Sequence, residues 1–316
     1  MRGSAARLLT GIGDDCAVLR QPSGFDTLVT TDFSLEGVHF RREWHPADVV
    51  GHRCLTRGLS DIAAMGGEPV AAFLSLALPA EIQQRWIDGF FAGLHALAAK
   101  FKIPLAGGDI SQSPRGIMAD ITVMGAVPSG QAILRSGAKE GDRIFVTGEL
   151  GAPATLLAQM FEQPEKKFKP KSFPAHFYPQ PQIAVARYLR ERGLVTAMID
   201  ISDGLSTELA HICEESGVGA VVHKSAIPRA SVGRHEVTFG FALHGGDEYQ
   251  LLFTAPNGKR IPNEIAGVPV THIGYITPER GEVMLQEEGG YSVELVPEGW
   301  EHFTSTTPGR RQKKRR

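Results

Sequence analysis

Phe25-Asp-Thr-Leu-Val-Thr-Thr-Asp-Phe33 decides how this chain is read: a short β-branched run that ends on an acid. Such residues suit a pleated, half-buried surface, and an acid at a strand end lies where open α/β sheets gather their ligands. Working outward, Pro46 to Met65 reads as a helix, opened by a proline in its first turn and closed by Gly66-Gly67. Ser75 to Leu78 is a second strand. From Ala80 to Phe101 the residues Ile82, Trp86, Phe90, Leu94, Leu97 and Phe101 recur at steps of three or four, the stripe of an amphipathic helix. Pro104 to Ala106 is a short strand running into Gly107-Gly108-Asp109, and Ile117, Ala119, Ile121, Val123 and Val127 alternate as a half-buried strand.

After a turn over Pro128 to Gly141 the style repeats. Arg143 to Gly148 is a strand, Ala152 to Phe161 a helix, and a Lys/Pro-rich stretch from Glu162 to Gln182 follows. That stretch reads as a surface loop, with a mobile lid over an anionic ligand as the other option. Then come a helix over Ile183 to Arg192, a strand over Ala197 to Ile201, a helix over Gly204 to Ser216 and several further strands. The expected architecture is α/β or α+β in two domains, residues 1–130 and 131–305, with a basic, disordered tail over 306–316.

Composition agrees with an ordinary globular chain: 316 residues, 42% hydrophobic and 22% charged. No apolar run is long enough to span a bilayer, and the N-terminus lacks a signal-peptide core. Three cysteines, Cys16, Cys54 and Cys213, have no metal-ligand spacing and read as reduced thiols of a cytoplasmic protein. The net charge of -2 hides an asymmetry, because RRQKKRR at the C-terminus carries six positive charges. A solvated tail explains those charges better than nucleic-acid binding does. The acids of the body are more informative.

They recur at strand ends and tight glycine turns: GIGDDCAVL (11–19), VTTDF (29–33), LAGGDI (105–110), MIDISDG (198–204) and LHGGDEYQL (243–251), with Asp61 in SDIAAMGG as a sixth site. Gathered in one cleft, so many carboxylates would repel each other unless a cation neutralised them. Oxygen ligation by aspartates, without paired His or Cys, suits Mg²⁺ or Mn²⁺ rather than Zn²⁺. Mg²⁺ held by one or two carboxylates keeps positions open for phosphate oxygens, so several metal ions and a polyphosphate are the natural guests. There is no GxxxxGK[ST] and no protein-kinase motif set, and GIGDDC breaks the dinucleotide pattern at its last position. A nucleotide would be bound mainly through metals.

The ordered set GIGDDCAVL, TTDF, GVHF, LSDIAAMGG, GGDI, RSGAKEGD, IDISDGL, GGDEYQLLF and GWEHF resembles the thiamine-monophosphate kinase family, over Gly11 to Phe303. The resemblance implies a homodimer whose N-terminal mixed sheets pair into a barrel, beside a C-terminal α/β domain. It implies ATP as co-substrate, several Mg²⁺ ions and thiamine monophosphate as acceptor, with direct transfer and no catalytic side chain. It implies that Asp15, Thr30, Thr31, Asp32, Asp61, Asp109, Asp200 and Asp203 ligate Mg²⁺, and that Gly108, Asp109, Arg135 and Ser202 contact ATP. His39, Asp247 and Trp300 would hold the thiamine phosphate, Trp300 by stacking on a ring.

Two departures stand out. The family has Glu-Asp where this chain has Asp247-Glu248, so the substrate contact could pass to Glu248. The chain also starts ten residues before GIGDD, where the family has a longer segment. Rival readings are selenophosphate synthetase, the hydrogenase-maturation dehydratase, aminoimidazole ribonucleotide synthetase, or a non-catalytic regulator that binds nucleotide or thiamine phosphate. The first two need cysteines placed elsewhere, the third lacks the GVHF and GWEHF pairing, and a mere binder has little use for so many metal ligands.

Overall fold

The computed structural model describes residues 8–10, 17–233 and 235–300. Strands β1 (Leu8–Thr10) and β2 (Val18–Leu19) form a small hairpin. The first large unit is a four-stranded sheet in the order β3-β6-β4-β5, from β3 (Phe25–Leu35), β4 (Glu68–Leu78), β5 (Leu105–Gln112) and β6 (Met118–Pro128). β6 runs antiparallel to β3 and β4, while β4 and β5 are parallel. Helices α1 (Ala47–Ala64) and α2 (Gln84–Phe101) cover one face, packing Cys54, Leu55, Leu59, Phe90 and Leu94 on Leu74, Leu76, Ile121 and Val123. The helices touch backbone to backbone. A Cβ on Gly51 would stand 1.9 Å from the Phe90 carbonyl oxygen, and one on Gly93 would stand 1.8 Å from that of Asp48. Only glycine permits that approach.

Several expected boundaries move, and two of the moves matter for the site. The VTTDF acid does not end its strand. β3 continues to Leu35 because its ladder with β6 runs unbroken from Phe25↔Pro128 to Leu35↔Met118. Gly107, Gly108 and Asp109 lie inside edge strand β5 rather than beyond it. Gly108 sits at φ 151 against β4, where a Cβ would be 1.9 Å from the Leu74 carbonyl oxygen. The second long helix begins at Gln84, later than its apolar stripe, because Ile82 belongs to the preceding turn.

The second unit is an eight-stranded mixed sheet. Its main path is β16 (Ser292–Glu294), β15 (Val283–Gln286), β9 (Gly219–His223), β14 (Val268–Thr277), β7 (Arg143–Thr147), β12 (Gln250–Ala255) and β8 (Ala197–Ile201), with β13 (Glu264–Ile265) paired to β14. β10 (Ser231–Val232) and β11 (His235–Glu236) make a side hairpin. Helix α3 (Ala152–Glu162) precedes the Lys/Pro-rich stretch, which holds the short α4 (Pro174–Phe177) and leads to α5 (Ile183–Glu191). α6 (Leu205–Ser216) follows β8, and α7 (Phe239–His244) precedes the GGDEY turn. No helix among the described residues is long and apolar enough to cross a membrane.

Candidate active site

Helix α1 is the spine of the site. Arg53, Arg57 and Asp61 follow each other at steps of four, so they share one face. Their helix is otherwise built to be buried, with Val49, Val50, Cys54, Leu55, Leu59, Ile62 and Ala63 all in the core. Charged groups retained on such a helix must find partners, and they do so at two places.

At its C-terminal end α1 meets acids. The Thr30 hydroxyl on β3 donates to Asp61 Oδ2, and the Ser60 hydroxyl donates to Asp200 Oδ2 on β8 at 2.6 Å. Burial pushes the Asp61 carboxyl above its ordinary pKa, against the Thr30 hydrogen bond and the charges of Arg135 and Arg57. Asp200 is pushed well up by burial and then by the charge of Asp61, with Ser60 and Arg135 opposing. Burial also raises Asp32 to about 6, where Arg57 lowers it and Asp61, Asp247 and Asp203 raise it further. Thr30, Asp32, Asp61, Asp200, Asp203 and Arg135 therefore share one field, in which carboxylates outnumber cations. Among the described residues no three His, Cys, Asp or Glu side chains stand close enough to form a ready metal cage. Asp15 lies outside the described residues.

Halfway along α1 the balance reverses. Asp247 Oδ2 accepts from Arg53 Nη2 at 2.7 Å, and Oδ1 accepts from Arg57 Nη2 at 3.1 Å and from the Tyr249 hydroxyl at 2.6 Å. Burial works against the charged form of Asp247, but Arg53, Arg57 and Tyr249 outweigh it and hold the carboxyl well below the usual range. Asp247 and Tyr249 adopt φ of 63 and 52, a left-handed backbone that aspartate tolerates and a bulky tyrosine seldom takes. They are held there by backbone hydrogen bonds to the carbonyls of Ser202 (2.7 Å) and Ile201 (2.9 Å) at the end of β8. The turn thereby throws Asp247 toward α1 and Glu248 the other way. Glu248 is buried and accepts from the Gly151 amide at 2.5 Å.

The remaining residues surround these two centres. The Leu35 amide donates to His39 Nδ1 at 3.0 Å, and His39 lines a small, partly open cavity of about 10 Å³ with Arg53 and Arg57. The Trp300 amide donates to the Asp203 carbonyl at 3.1 Å. Its ring is 52% exposed and lines a cavity of about 530 Å³ with Leu157, Phe161, Phe241 and His244. The Ser202 hydroxyl donates to Glu208 Oε1 at 3.2 Å, which closes the turn into α6.

Thr31 and Asp109 do not join this group within one chain. Thr30 and Asp32 pair in register with the core residues Val123 and Ile121, so their side chains point to the α1 face. Thr31 points to the opposite face, where its hydroxyl donates to Asp120 at 2.5 Å. Asp109 pairs with Ser75, which pairs with Asp120, so it shares that outer face. It also sits with Gly108 on β5, the edge opposite β3, roughly 14 Å away at ordinary strand spacing.

The family model for "AIR synthase related protein, N-terminal domain" matches residues 13–127, and that for the C-terminal domain matches 139–287. The thiamine-monophosphate kinase of Salmonella typhimurium is 35% identical over 96% of this chain and 95% of its own. The chain belongs to the thiamine-monophosphate kinase family. The solved thiamine-monophosphate kinase of Stenotrophomonas maltophilia superposes with a TM-score of 0.79 at 34% identity, covering 90% of this chain and 92% of that one. The structure of AaThiL complexed with AMPPCP and TMP superposes at 0.77 and 29% identity, covering 90% and 89%. The fold of this family member is thus a mixed α/β architecture whose two parts match the two paired domain models.

Arg53 and Arg57 are the site residues that sequence reasoning missed. A signal was present: two arginines in step with Asp61, on a helix rich in apolar residues.

Proposed function

We propose that this chain transfers the γ-phosphate of ATP to thiamine monophosphate, making thiamine diphosphate and ADP. The observation that carries this is family membership over nearly the full length of both chains, joined to a field of buried acids around Asp61 and Asp200. The acceptor is already anionic, so its phosphate oxygen attacks the γ-phosphorus directly. The bond from that phosphorus to the β,γ-bridging oxygen breaks, and the electron pair leaves with ADP. No side chain has to remove a proton, which is why no general base is needed.

The donor set fits Mg²⁺. Asp61 and Asp200 are buried acids, and the charge of Asp61 raises the proton affinity of Asp200, with hydroxyls of Thr30 and Ser60 beside them. A divalent cation relieves that repulsion, and Mg²⁺ needs only one or two of these carboxylates. Thr30, Asp32, Asp61, Asp200 and Asp203, with Asp15, would hold several such ions. Bound there, Mg²⁺ supplies charge neutralisation for the polyphosphate. Arg135, which lowers the proton affinity of both Asp61 and Asp200, and Ser202 would bind the nucleotide. Trp300, on the rim of its apolar cavity, would stack on the thiamine ring, with His39 and Asp247 facing the acceptor from the α1 side.

We infer a homodimer that pairs the outer faces of the N-terminal sheets into a barrel. Val29 (64%), Phe33 (54%) and Met118 (40%) are exposed together on that face, an apolar surface that suits a second copy. The same pairing gives Thr31, Gly108 and Asp109 a role, because residues on the outer face or the far edge of the sheet, away from the Asp32 side chain, would serve the partner's site. The remaining expectations, two domains divided near residue 130, a cytoplasmic enzyme and no nucleic-acid partner, stand as part of this proposal. The basic tail lies outside the described residues.

The test is a coupled ADP-release assay with ATP, Mg²⁺ and thiamine monophosphate, followed by chromatography of the products. Thiamine diphosphate should appear only with both Mg²⁺ and the monophosphate, and EDTA should stop it. ADP release with aminoimidazole-pathway substrates instead, or nucleotide binding without turnover, would overturn the reading.

A further inference from the structure

The knot around Asp247 holds more positive charge than its own carboxylate needs. Two guanidiniums share Asp247, and the Tyr249 hydroxyl completes its hydrogen bonding. The two arginines are not equivalent. Arg53 is 4% exposed and spends its other terminal nitrogen on the His176 carbonyl at 2.5 Å. Its donors are committed inside the fold. Among the described residues Arg57 makes one hydrogen bond, to Asp247. Its second terminal nitrogen stops 3.7 Å from Asp32, beyond hydrogen-bonding range. Among the described residues, one edge of a rigid, permanently charged fork is thus held in place with no hydrogen-bond acceptor of its own.

The position of that edge is what gives it meaning. Arg57 lies between Asp32, on the metal side, and Asp247, on the acceptor side, and it lines the cavity shared with His39. An acceptor phosphate approaching the γ-phosphate brings a second dense negative charge to this junction. A guanidinium there offsets the repulsion and can grip two phosphate oxygens at once.

We propose that Arg57 reads the phosphate of the acceptor and so sets the preference for thiamine monophosphate over free thiamine. Asp247 and Tyr249 orient the guanidinium, and Arg53 keeps Asp247 ionised from behind. This rests on the kinase reading above, and it names the residue that selects a phosphorylated acceptor.

The experiment measures equilibrium binding of thiamine monophosphate and of free thiamine to enzyme saturated with Mg²⁺ and a non-hydrolysable ATP analogue. Wild type should prefer the monophosphate. Arg57→Gln should weaken monophosphate binding at least tenfold while free thiamine and the nucleotide analogue stay within twofold. Arg57→Lys, which keeps the charge and loses the fork, should fall between, and it carries the test if the glutamine variant does not fold. An unchanged ratio of the two affinities in either variant would overturn the inference and leave Arg57 as a strut between α1 and the GGDEY turn. Failure of wild type to turn over thiamine monophosphate is a separate result, and it would sink the kinase reading instead.

Discussion

Two acid clusters lie along one helix and behave in opposite ways. Asp61 and Asp200, near the C-terminal end of α1, hold their protons more tightly than free aspartates, whereas Asp247, a few turns back, is locked in its charged form. Each is removed from water, so burial alone raises all three. The difference is the neighbours: two guanidiniums hydrogen-bonded to Asp247 outweigh its burial, whereas the charges of Arg135 and Arg57 do not outweigh burial at Asp61, and at Asp200 the charge of Asp61 adds to burial. A cluster that repels itself is built for a guest that is not part of the chain, and a cluster already neutralised is built to hold the chain together and aim something else.

The largest expected effect tests the repelling cluster. Asp61→Asn or Asp200→Asn should cut turnover by on the order of 10²–10³-fold, as loss of transition-state charge stabilisation does. Neither should lower thermal stability in the absence of metal, because a repulsion has been removed. Added Mg²⁺ should raise the melting temperature of wild type and do so less in either variant. Wild-type rates in both variants would remove the contrast between the clusters.

The neutralised cluster should respond in stability instead. Arg53→Met strips the buried partner from Asp247 and the donor from the His176 carbonyl, and it should cost about 3–5 kcal/mol in urea unfolding. Adding Asp247→Asn should recover part of that loss. Additive losses in the double variant would show that the pair is not coupled.

The smallest effect sharpens the picture behind Arg53. His45 Nε2 and His176 Nε2 stand 3.1 Å apart, both buried. Burial and then Arg53 hold His45 down to about 4, against the Arg41 carbonyl and Asp247. His176 is held well below its ordinary value by the same two causes and by His45. The unfolded chain takes up protons near pH 6.5 while native His45 stays neutral, so stability falls as pH falls between about 6.5 and 4. Wild type should lose about 1.4 kcal/mol per pH unit more than His45→Gln over that window. Parallel slopes would mean that the pair titrates freely in the native state.

Much of this was legible beforehand. Helix α2 could be read because apolar periodicity survives in any fold that buries one face, strand β8 because a short apolar run marks a strand buried on both faces, and the acids were visible through their glycine turns. Thr31 and Asp109 were not placed, because side-chain direction in a strand depends on register, and register depends on the partner strand. Likewise Glu248 reads as a ligand beside Asp247, yet the positive φ values of Asp247 and Tyr249 turn it into the core.

By itself, the sequence determined the inventory of the site: which acids, which hydroxyls and which ring, since chemistry belongs to residue types and short-range spacing. Only tertiary structure decided which of these acids are starved of counter-charge and which are sated. Proton affinity is set by whatever stands within a few ångströms, and Arg53 and Asp247 come from positions almost two hundred residues apart.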